Sequence, residues 1–328
     1  MKAVIATGAR TADGVELANA VTPGQPGPGE ILVRVRAAGL NRADLLQARG
    51  LYPPPPGFDP DRPGLEFAGD VAAIGDDVED HKIGERVFGI AAGEAQAEYL
   101  LIRGDHTAAI PANMSYAEAA AVPEAFITAN DAMITQAALE AGETVLIHAV
   151  GSGVGLAALQ IATAVGATPI GTSRTSEKLE KCRSLGLRYA LAVPERAEFA
   201  DRVADITGGR GVDVILDLVG GSYLAENLAA LARKGRMIFV GLTGGTRAEI
   251  DLAVVLAKRA ELRGTVLRSR SDQEKAEAMA RFRRDVVPHL AAGTMSAIVD
   301  RVYPAAEVRQ AYSYLASNES FGKVVLEF

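Results

Sequence analysis

The sequence predicts an α/β protein in which a doubly wound parallel sheet is inserted into a β-rich domain that forms a partly open barrel. Residues 143–160 indicate a buried strand, a tight glycine turn and an amphipathic helix. Short strands between Gly and Pro fill residues 1–122, whereas strands and helices alternate from about residue 123. Residues 322–328 form a last apolar strand that suits the first sheet. We therefore expect a domain of residues 1–122 plus 266–328 around an insert of residues 123–265.

Composition narrows the class of protein. The 328 residues are enough for two hydrophobic cores, and the net charge of −7 gives no reason to expect nucleic acid or a membrane as a partner. No apolar run is long enough to span a bilayer, and residues 1–6 are too short an apolar stretch for a signal peptide. Cys182 is the only cysteine, which excludes an intrachain disulfide and favours a cytoplasmic setting. We interpret Cys182 as a packing residue.

The first domain carries one unusual segment between its strands. Residues 31–36, 69–75 and 86–90 are predicted strands. Between the first two, residues 38–57 predict one or two helical turns that end at a run of four prolines. Tyr52 directly precedes these prolines and is held on a stiff segment, where its side chain either points into a cleft or packs against the loop.

The glycine turn has the chemistry of a phosphate site. Gly151, Gly153 and Gly155 let a pyrophosphate come close to the backbone, and a helix N-terminus offers N–H groups and partial positive charge. Val150 and Ser152 stand where the first two glycines of the G-x-G-x-x-G pattern would be. A tight turn in another kind of α/β domain therefore remains an alternative for this stretch taken alone.

Further strands are predicted at residues 168–172, 212–217 and 236–241, with an edge strand at 261–267. Helices are predicted to start at Ser173, to cover residues 201–207, to end at Ala232 and to cover residues 273–290. About six parallel strands with helices between them are the Rossmann arrangement.

The end of the second strand of this sheet selects the nucleotide. NAD-binding sheets usually place Asp or Glu there, which would repel an adenosine 2′-phosphate. Here Ser173, Arg174 and Lys178 offer a hydroxyl, a guanidinium and an ammonium, which attract that phosphate. The pattern favours NADP over NAD, the alternative being that Arg174 and Lys178 are solvated charges at the start of a helix.

Several stretches together resemble the medium-chain dehydrogenase/reductase superfamily, and they cover nearly the whole chain. They are residues 38–45, 52–57, 123–129, 145–155, 217–223, 267–270 and 322–326. Within the superfamily, the sequence resembles the zinc-free quinone oxidoreductases, closest to the p53-inducible quinone reductase type. This resemblance implies a GroES-like catalytic domain, NADPH bound in the cleft between the domains, and a quinone as acceptor. It also implies a homodimer formed through residues 250–256 and the strand that follows them.

The resemblance assigns roles to individual residues. Asn41 would hydrogen-bond the cofactor or the substrate, Tyr52 would shape the acceptor pocket and donate to the quinone oxygen, and Asp44 would orient Asn41 or cap its helix. The implied cofactor contacts are Thr128, Gly151, Ser152, Gly153, Val154, Gly155, Ser173, Arg174, Lys178, Val240, Gly241, Leu267 and Lys323. Lys323 would close over the cofactor, the alternative being a charge on an edge strand.

Zinc is not expected. Zinc-dependent relatives carry Cys at the position of Asn41 and His at that of Leu65, just before Glu66. A catalytic zinc needs about three protein ligands and a structural zinc four, whereas this chain has one Cys and four scattered His. His148, on the buried first strand of the insert, is interpreted as a packing residue. A readily reduced acceptor such as a quinone suits such a site, because the cofactor carries the chemistry.

Some alternatives remain open at this point. An acceptor that is an α,β-unsaturated carbonyl, and a non-catalytic protein that binds NADPH, are the other functions considered. Relatives carry Asn-Tyr after the third strand of the insert, where the Tyr flanks the adenosine phosphate, but this chain has Ala192 and Val193 there. The strength of the NADPH preference is therefore left open, as are the physiological acceptor and the choice between hydride and single-electron transfer.

Overall fold

The computed structural model describes residues 1–194 and 196–328, which group into two compact units. Unit 1 contains Met1–Ile127 and Leu267–Phe328, and unit 2 contains Thr128–Val266. The predicted fold class, a parallel Rossmann sheet inserted into a β-rich domain, is confirmed. No helix in the described part of the chain is long and apolar enough to cross a bilayer.

The strands and helices have the following bounds. The strands are β1 Lys2–Ala6, β2 Val15–Asn19, β3 Glu30–Leu40, β4 Glu66–Ile74, β5 Arg86–Ile90, β6 Tyr99–Arg103, β7 Thr107–Ala109, β8 Thr144–Ile147, β9 Thr168–Ser173, β10 Tyr189–Ala192, β11 Val212–Asp217, β12 Leu231–Phe239, β13 Glu261–Gly264, β14 Val299–Pro304 and β15 Lys323–Glu327. The α-helices are α1 Arg42–Ala48, α2 Tyr116–Ala120, α3 Pro123–Asn130, α4 Gly153–Val165, α5 Ser176–Arg183, α6 Ala200–Thr207, α7 Leu224–Ala230, α8 Leu252–Lys258, α9 Asp272–Asp285, α10 Val287–Ala291 and α11 Val308–Ser317.

Unit 1 is organised around one mixed sheet. Its strand order is β14-β15-β3-β4-β5-β7, with β6 also paired to β3 and with β1 and β2 in a separate hairpin. β15 runs antiparallel to β3, with Leu326 opposite Ala38, so the predicted return of the C-terminal strand to the first sheet is confirmed. Because β15 lies between β14 and β3, the alternative interpretation of Lys323 as an edge-strand charge is wrong.

Unit 2 is a six-stranded sheet with parallel pairing throughout. Its order is β10-β9-β8-β11-β12-β13, which is the Rossmann order when β8 is counted as the first strand. β8 is buried along its whole length, as a strand with helices on both faces requires. In such a sheet the carboxyl ends of β8, β9, β11 and β12 meet at one edge, where ligands bind in this fold.

Two predicted helix boundaries in unit 2 are wrong. α5 starts at Ser176, not at Ser173, because Ser173 is the last residue of β9 and pairs with Ala192. α7 ends at Ala230 instead of Ala232, because residue 231 is buried and already pairs with Val212 of β11. Helix-favouring side chains there are overridden by pairing within the sheet.

The long helix predicted for residues 273–290 is two helices. α9 ends at Asp285 and α10 begins at Val287. Pro288 lies in the first turn of α10, where its missing N–H cannot serve the carbonyl four residues earlier.

Candidate functional site

The turn between β8 and α4 leads into a capped helix N-terminus. Ser152 is the N-cap of α4, and its Oγ accepts a 3.2 Å hydrogen bond from the Gly155 N–H. A Cβ at Gly155 would lie 2.5 Å from the Ala149 carbonyl oxygen, so only glycine lets α4 begin this close to the strand. The N–H groups of Gly153 and Val154 lie in the first turn, where a helix provides no intrahelical acceptor. The predicted phosphate turn therefore has a capped helix N-terminus with amide donors for a ligand.

A buried polar chain fixes the strands around this turn. His148 is fully buried, with Nδ1 2.9 Å from the Thr172 Oγ1 and Nε2 2.6 Å from the Asn227 Oδ1. Asn227 in turn donates to the Asp217 carboxylate at 3.0 Å. Burial lowers the pKa of His148. This histidine joins β8, β9 and α7, so its interpretation as a packing residue is confirmed.

The groups predicted to hold the 2′-phosphate follow the end of β9. Ser173 is nearly buried, and its Oγ accepts from the Thr175 N–H at 3.4 Å. Arg174 is exposed, and Lys178 is half-buried in the first turn of α5. The Ser173 hydroxyl, the Arg174 guanidinium and the Lys178 ammonium therefore follow one another from the end of β9 into the first turn of α5, as the sequence predicts.

Ala192 and Val193 stand where the resemblance leads us to expect an Asn-Tyr pair. Val193 is buried in the core of unit 2, where its N–H donates to the Ser173 carbonyl oxygen at 2.9 Å. A different aromatic residue lies near Arg174: burial raises the pKa of Tyr223, and the charge of Arg174 opposes that rise. The Tyr223 ring also packs against His148, with 4.9 Å between ring centroids. Sequence reasoning did not assign Tyr223 a role, although it lies in a stretch that carries the family resemblance.

The remaining predicted cofactor contacts lie at several places in the fold. The N–H groups of Val240 and Gly241, just after β12, donate to the Asp217 carbonyl oxygen at 2.8 and 3.2 Å. Thr128 lies half-buried in α3 and belongs to unit 2. Leu267 is buried and belongs to unit 1.

Unit 1 contains a buried polar centre, here called the Lys323 cluster, formed by the Leu40 carbonyl, Asn41, Glu66 and Lys323. The Lys323 Nζ donates to the Leu40 O at 2.7 Å, the Asn41 Oδ1 at 2.6 Å and the Glu66 Oε1 at 2.5 Å. Three acceptors match the three protons of an ammonium. The Asn41 Nδ2 also donates to the Glu66 Oε1 at 2.9 Å. The Asn41 side chain is therefore fixed by hydrogen bonds to Glu66 and to the buried Lys323 ammonium.

Asp44 positions the start of α1. Its Oδ2 accepts from the Asn41 N–H at 2.7 Å, and its Oδ1 accepts from the Gly64 N–H at 3.2 Å. Complete burial raises the pKa of Asp44 to about 6, against the lowering effects of the Asn41 N–H and of the Lys323 charge. These contacts are compatible with both roles predicted for Asp44, which are orienting Asn41 and capping its helix.

Arg268 holds the segment that carries Tyr52. Its Nε donates to the Ala92 O at 2.7 Å, its Nη1 to the Tyr52 O at 2.9 Å and its Nη2 to the Gln47 Oε1 at 2.5 Å. The guanidinium carbon lies 5.1 Å from the centroid of the Tyr52 ring. Burial raises the pKa of the half-buried Tyr52 phenol, which keeps the phenol neutral and able to donate. Arg268 was not assigned a role from the sequence, although it also lies in a stretch that carries the resemblance.

A third residue that was not assigned a role from the sequence is Glu124, in the first turn of α3. Its N–H donates to the Glu66 Oε2 at 2.9 Å. Burial, followed by the charge of Glu66, raises the pKa of the Glu124 carboxyl to about 8. Glu124 also lies in a stretch that carries the resemblance, but that stretch does not reveal its environment, because its neighbours come from distant parts of the chain.

Cys182 is a buried thiol. Burial raises its pKa to about 12, so the reactive thiolate is suppressed at neutral pH. The interpretation of Cys182 as a packing residue is confirmed.

A Rossmann sheet with a glycine turn at a helix N-terminus, together with a β-rich unit in the same chain, is typical of nucleotide-dependent dehydrogenases and reductases. Zinc-binding dehydrogenases match residues 153–284, and the GroES-like domain of alcohol dehydrogenases matches residues 27–131. The chain belongs to the medium-chain dehydrogenase/reductase superfamily as a quinone oxidoreductase-type member. It is therefore an oxidoreductase of a family that uses a nicotinamide cofactor.

Three relatives illustrate this membership. Quinone oxidoreductase-like protein 2 of Bos taurus is 32% identical over 307 residues, which is 93% of this chain and 87% of the relative. The structure of a mycobacterial protein complexed with NADPH is similar with a TM-score of 0.89 and 28% identity, over 100% of both chains. The structure of the CurK enoyl reductase is similar with a TM-score of 0.88 and 27% identity, over 99% of this chain and 98% of the other.

The first of these family descriptions names zinc, but the donors in this chain do not fit that ion. Asn41 and Glu66 already bind the Lys323 ammonium, whose charge would repel a divalent cation brought to the same oxygens. Position 65 is a buried leucine, which offers no ligand atom. Within residues 1–194 and 196–328, no three His, Cys, Asp or Glu side chains are grouped so that they could hold a metal.

Proposed function

We propose that this protein is an NADPH-dependent quinone oxidoreductase that works without a metal. The Lys323 cluster carries the proposal, because an internal ammonium occupies the oxygens that a catalytic cation would need. Such a site has no electrophile that could help to ionise an alcohol, whereas a quinone is readily reduced by the cofactor itself. The likeness to a quinone oxidoreductase-like protein over most of the chain supports the same acceptor class.

In this proposal NADPH is held by main-chain and basic groups, and it supplies the reducing equivalents when bound. The Gly151–Gly155 turn, with the amides of Gly153 and Val154, binds the pyrophosphate. The 2′-phosphate is bound by Ser173, Arg174 and Lys178. The nicotinamide side is bordered by Thr128, Val240, Gly241 and Leu267. Lys323 acts on the nucleotide indirectly in this scheme, since its protons are already used by the cluster.

The acceptor is oriented by unit 1. Tyr52 donates a hydrogen bond from its neutral phenol to the quinone oxygen, and Arg268 keeps that segment in place. Asn41 offers its amide as a polar contact. Glu66 and Lys323 hold the amide in one orientation, and Asp44 binds the Asn41 backbone N–H. The enzyme contributes position and hydrogen bonds, and no covalent nucleophile is needed.

The test is NADPH oxidation by the purified protein with 9,10-phenanthrenequinone and, separately, with an enal. We expect turnover with the quinone to exceed turnover with the enal, and to be unchanged after treatment with a chelator. Loss of activity on chelation, together with zinc at one equivalent per chain, would contradict the metal-free proposal.

A second candidate function is the reduction of α,β-unsaturated carbonyls, which the likeness to the CurK enoyl reductase favours. Faster turnover of the enal in the same assay would select it. A third is a protein that binds NADPH without turnover. Tight NADPH binding with no oxidation across a panel of quinones and enals would select that function.

We propose a homodimer formed by two copies of unit 2. β13 is an edge strand of the six-stranded sheet, and the preceding segment exposes Ile250, Leu252 and Leu256. Pairing of two β13 strands about a two-fold axis would cover both the unpaired edge and these apolar side chains. Light scattering should give twice the chain mass, whereas a monomer at micromolar concentration would contradict the proposal. We further propose a cytoplasmic setting, where the single thiol stays reduced.

A further inference from the structure

A continuous chain of buried hydrogen bonds crosses the carboxyl edge of the unit 2 sheet. It is called here the Asp217 chain, and its members are Asp217, Asn227, His148 and Thr172, each at most 1% exposed. Asn227 donates to the Asp217 Oδ2 at 3.0 Å, and its own Oδ1 lies 2.6 Å from the His148 Nε2. The His148 Nδ1 lies 2.9 Å from the Thr172 Oγ1. The members come from β11, α7, the residue after β8, and β9.

The carboxylate end of the chain fixes the turn after β11. The Asp217 Oδ1 accepts from the N–H groups of Val219 at 2.7 Å and Gly220 at 2.9 Å. With the Asn227 amide on its other oxygen, the carboxylate faces three N–H donors and needs no cation beside it. The Asn227 Nδ2 must point to this carboxylate, because the Asn227 Oδ1 has nothing to accept there.

The polarity of the rest of the chain follows from that orientation. Since the Asn227 Oδ1 faces His148, the His148 Nε2 carries the proton that is donated to it. Burial lowers the pKa of His148, so the ring is neutral and its Nδ1 accepts from the Thr172 hydroxyl. Each link therefore joins one donor to one acceptor, and a fully satisfied buried network of this kind makes the elements that it joins rigid.

The same residues hold every part of the edge to which the proposed function assigns the nucleotide. The Thr172 carbonyl oxygen accepts from the Val150 N–H at 2.9 Å, at the start of the glycine turn. Thr172 also directly precedes Ser173, the first of the groups proposed to bind the 2′-phosphate. The Asp217 carbonyl oxygen accepts from the two N–H groups that follow β12, at 2.8 and 3.2 Å. One chain thus links the pyrophosphate turn, the basic groups and the nicotinamide border.

We propose that Asp217 and Asn227, acting through His148 and Thr172, are positioning residues of the nucleotide site. This inference rests on the nucleotide site of the proposed function. The chain keeps three separate segments in the arrangement that one extended dinucleotide requires. If it is broken, fewer molecules have all three segments in place, and the apparent Kd for NADPH rises in proportion to that loss.

The first test replaces Asn227 with leucine, which has a similar volume and no polar atoms. Asp217 and His148 each lose a partner, so the Kd for NADPH should rise by about 10-fold or more, as expected when buried polar groups are left unpaired. KM for NADPH should rise with it, whereas kcat with 9,10-phenanthrenequinone at saturating NADPH should change little. Nucleotide fluorescence gives the Kd, and circular dichroism in urea shows that the protein is folded under the assay conditions.

An exchange of the amide and the carboxylate tests the polarity. Asn227→Asp alone brings two carboxylates together and should weaken NADPH binding at pH 8. Adding Asp217→Asn should restore it, because the amide at position 217 then accepts from the turn and donates to the carboxylate at position 227. That carboxylate accepts from His148, so every link of the chain is kept.

A milder variant decides the question if those variants do not fold. Thr172→Val removes only the hydroxyl that donates to His148, and it keeps the β-branched shape that suits a strand. It should lower kcat/KM for NADPH by about 3-fold, the size expected for one neutral hydrogen bond, and lower kcat/KM for NADH less. The difference is expected because the groups that bind the 2′-phosphate follow Thr172 directly. Thr168→Val, at the opposite end of β9, is the matched control and should change neither value.

The outcomes separate this inference from the proposed function. A wild type that binds NADPH but reduces no quinone contradicts the proposed acceptor, and the Kd values still decide the positioning role. A wild type that binds no nicotinamide nucleotide overturns both. Folded Asn227→Leu and Thr172→Val variants that are less stable, but bind NADPH and NADH as the wild type does, overturn only the positioning role.

Discussion

Replacing Lys323 with methionine should lower the free energy of unfolding by about 3–5 kcal/mol, because breaking a buried ion pair leaves an uncompensated charge. The Glu66 carboxylate is fully buried, and it would lose the ammonium that lies 2.5 Å away. The Leu40 carbonyl and the Asn41 Oδ1 would lose a donor at the same time. Urea unfolding followed by circular dichroism measures the change.

The matched control is Lys82→Met, which removes an exposed lysine of the same unit and should change the unfolding free energy by no more than about 0.5 kcal/mol. The double variant Lys323→Met with Glu66→Gln removes both charges and should recover a large part of the loss, which a double-mutant cycle reports as coupling. If the Lys323→Met variant is as stable as the wild type, Lys323 is not buried against Glu66 in solution.

Replacing Arg174 with alanine should lower kcat/KM for NADPH and leave kcat/KM for NADH nearly unchanged. A hydrogen bond to a charged group contributes about 1.5–3 kcal/mol, which corresponds to a loss of about 10- to 150-fold. The guanidinium is exposed at the end of β9, as a group that binds the 2′-phosphate must be. Steady-state kinetics with both nucleotides at constant salt provide the measurement.

Arg183→Ala is the control for this prediction, because Arg183 is an exposed arginine at the other end of α5. This substitution should leave kcat/KM unchanged for both NADPH and NADH. If Arg174→Ala lowers kcat/KM equally for NADPH and NADH, Arg174 does not recognise the 2′-phosphate. Val193 is buried in the core of unit 2, so we expect any preference for NADPH to come mainly from the basic groups after β9.

Local signals were sufficient for most elements of unit 2. The strand at 212–217 has the predicted limits, the strand predicted from residue 168 starts there, and the strand indicated within residues 143–160 is present at Thr144–Ile147. Each is a short apolar run rich in β-branched residues, which the sequence displays directly. The end of α7 was missed because residues 231 and 232 favour a helix locally but belong to β12, in which Leu231 pairs with Val212.

The sequence predicted some residues of the candidate site and missed others for the same reason. The phosphate turn and the basic groups after β9 lie within short stretches, so motif and charge reveal them. Lys323 was expected near the cofactor or at an edge, yet it is buried on Asn41 and Glu66. Glu124 and Arg268 were not assigned roles, because each acquires its environment from residues distant in the chain.

The sequence by itself determined the fold class, the family and the chemistry of the nucleotide turn, because periodicity, glycine placement and contiguous motifs are properties of short segments. Only the tertiary structure decided that residues 41, 66 and 323 form one buried cluster and that burial raises the pKa of the carboxyl of residue 124. Their partners come from strands far apart in the chain, and the free energy of burying a charge depends on which groups the fold brings within a few ångströms.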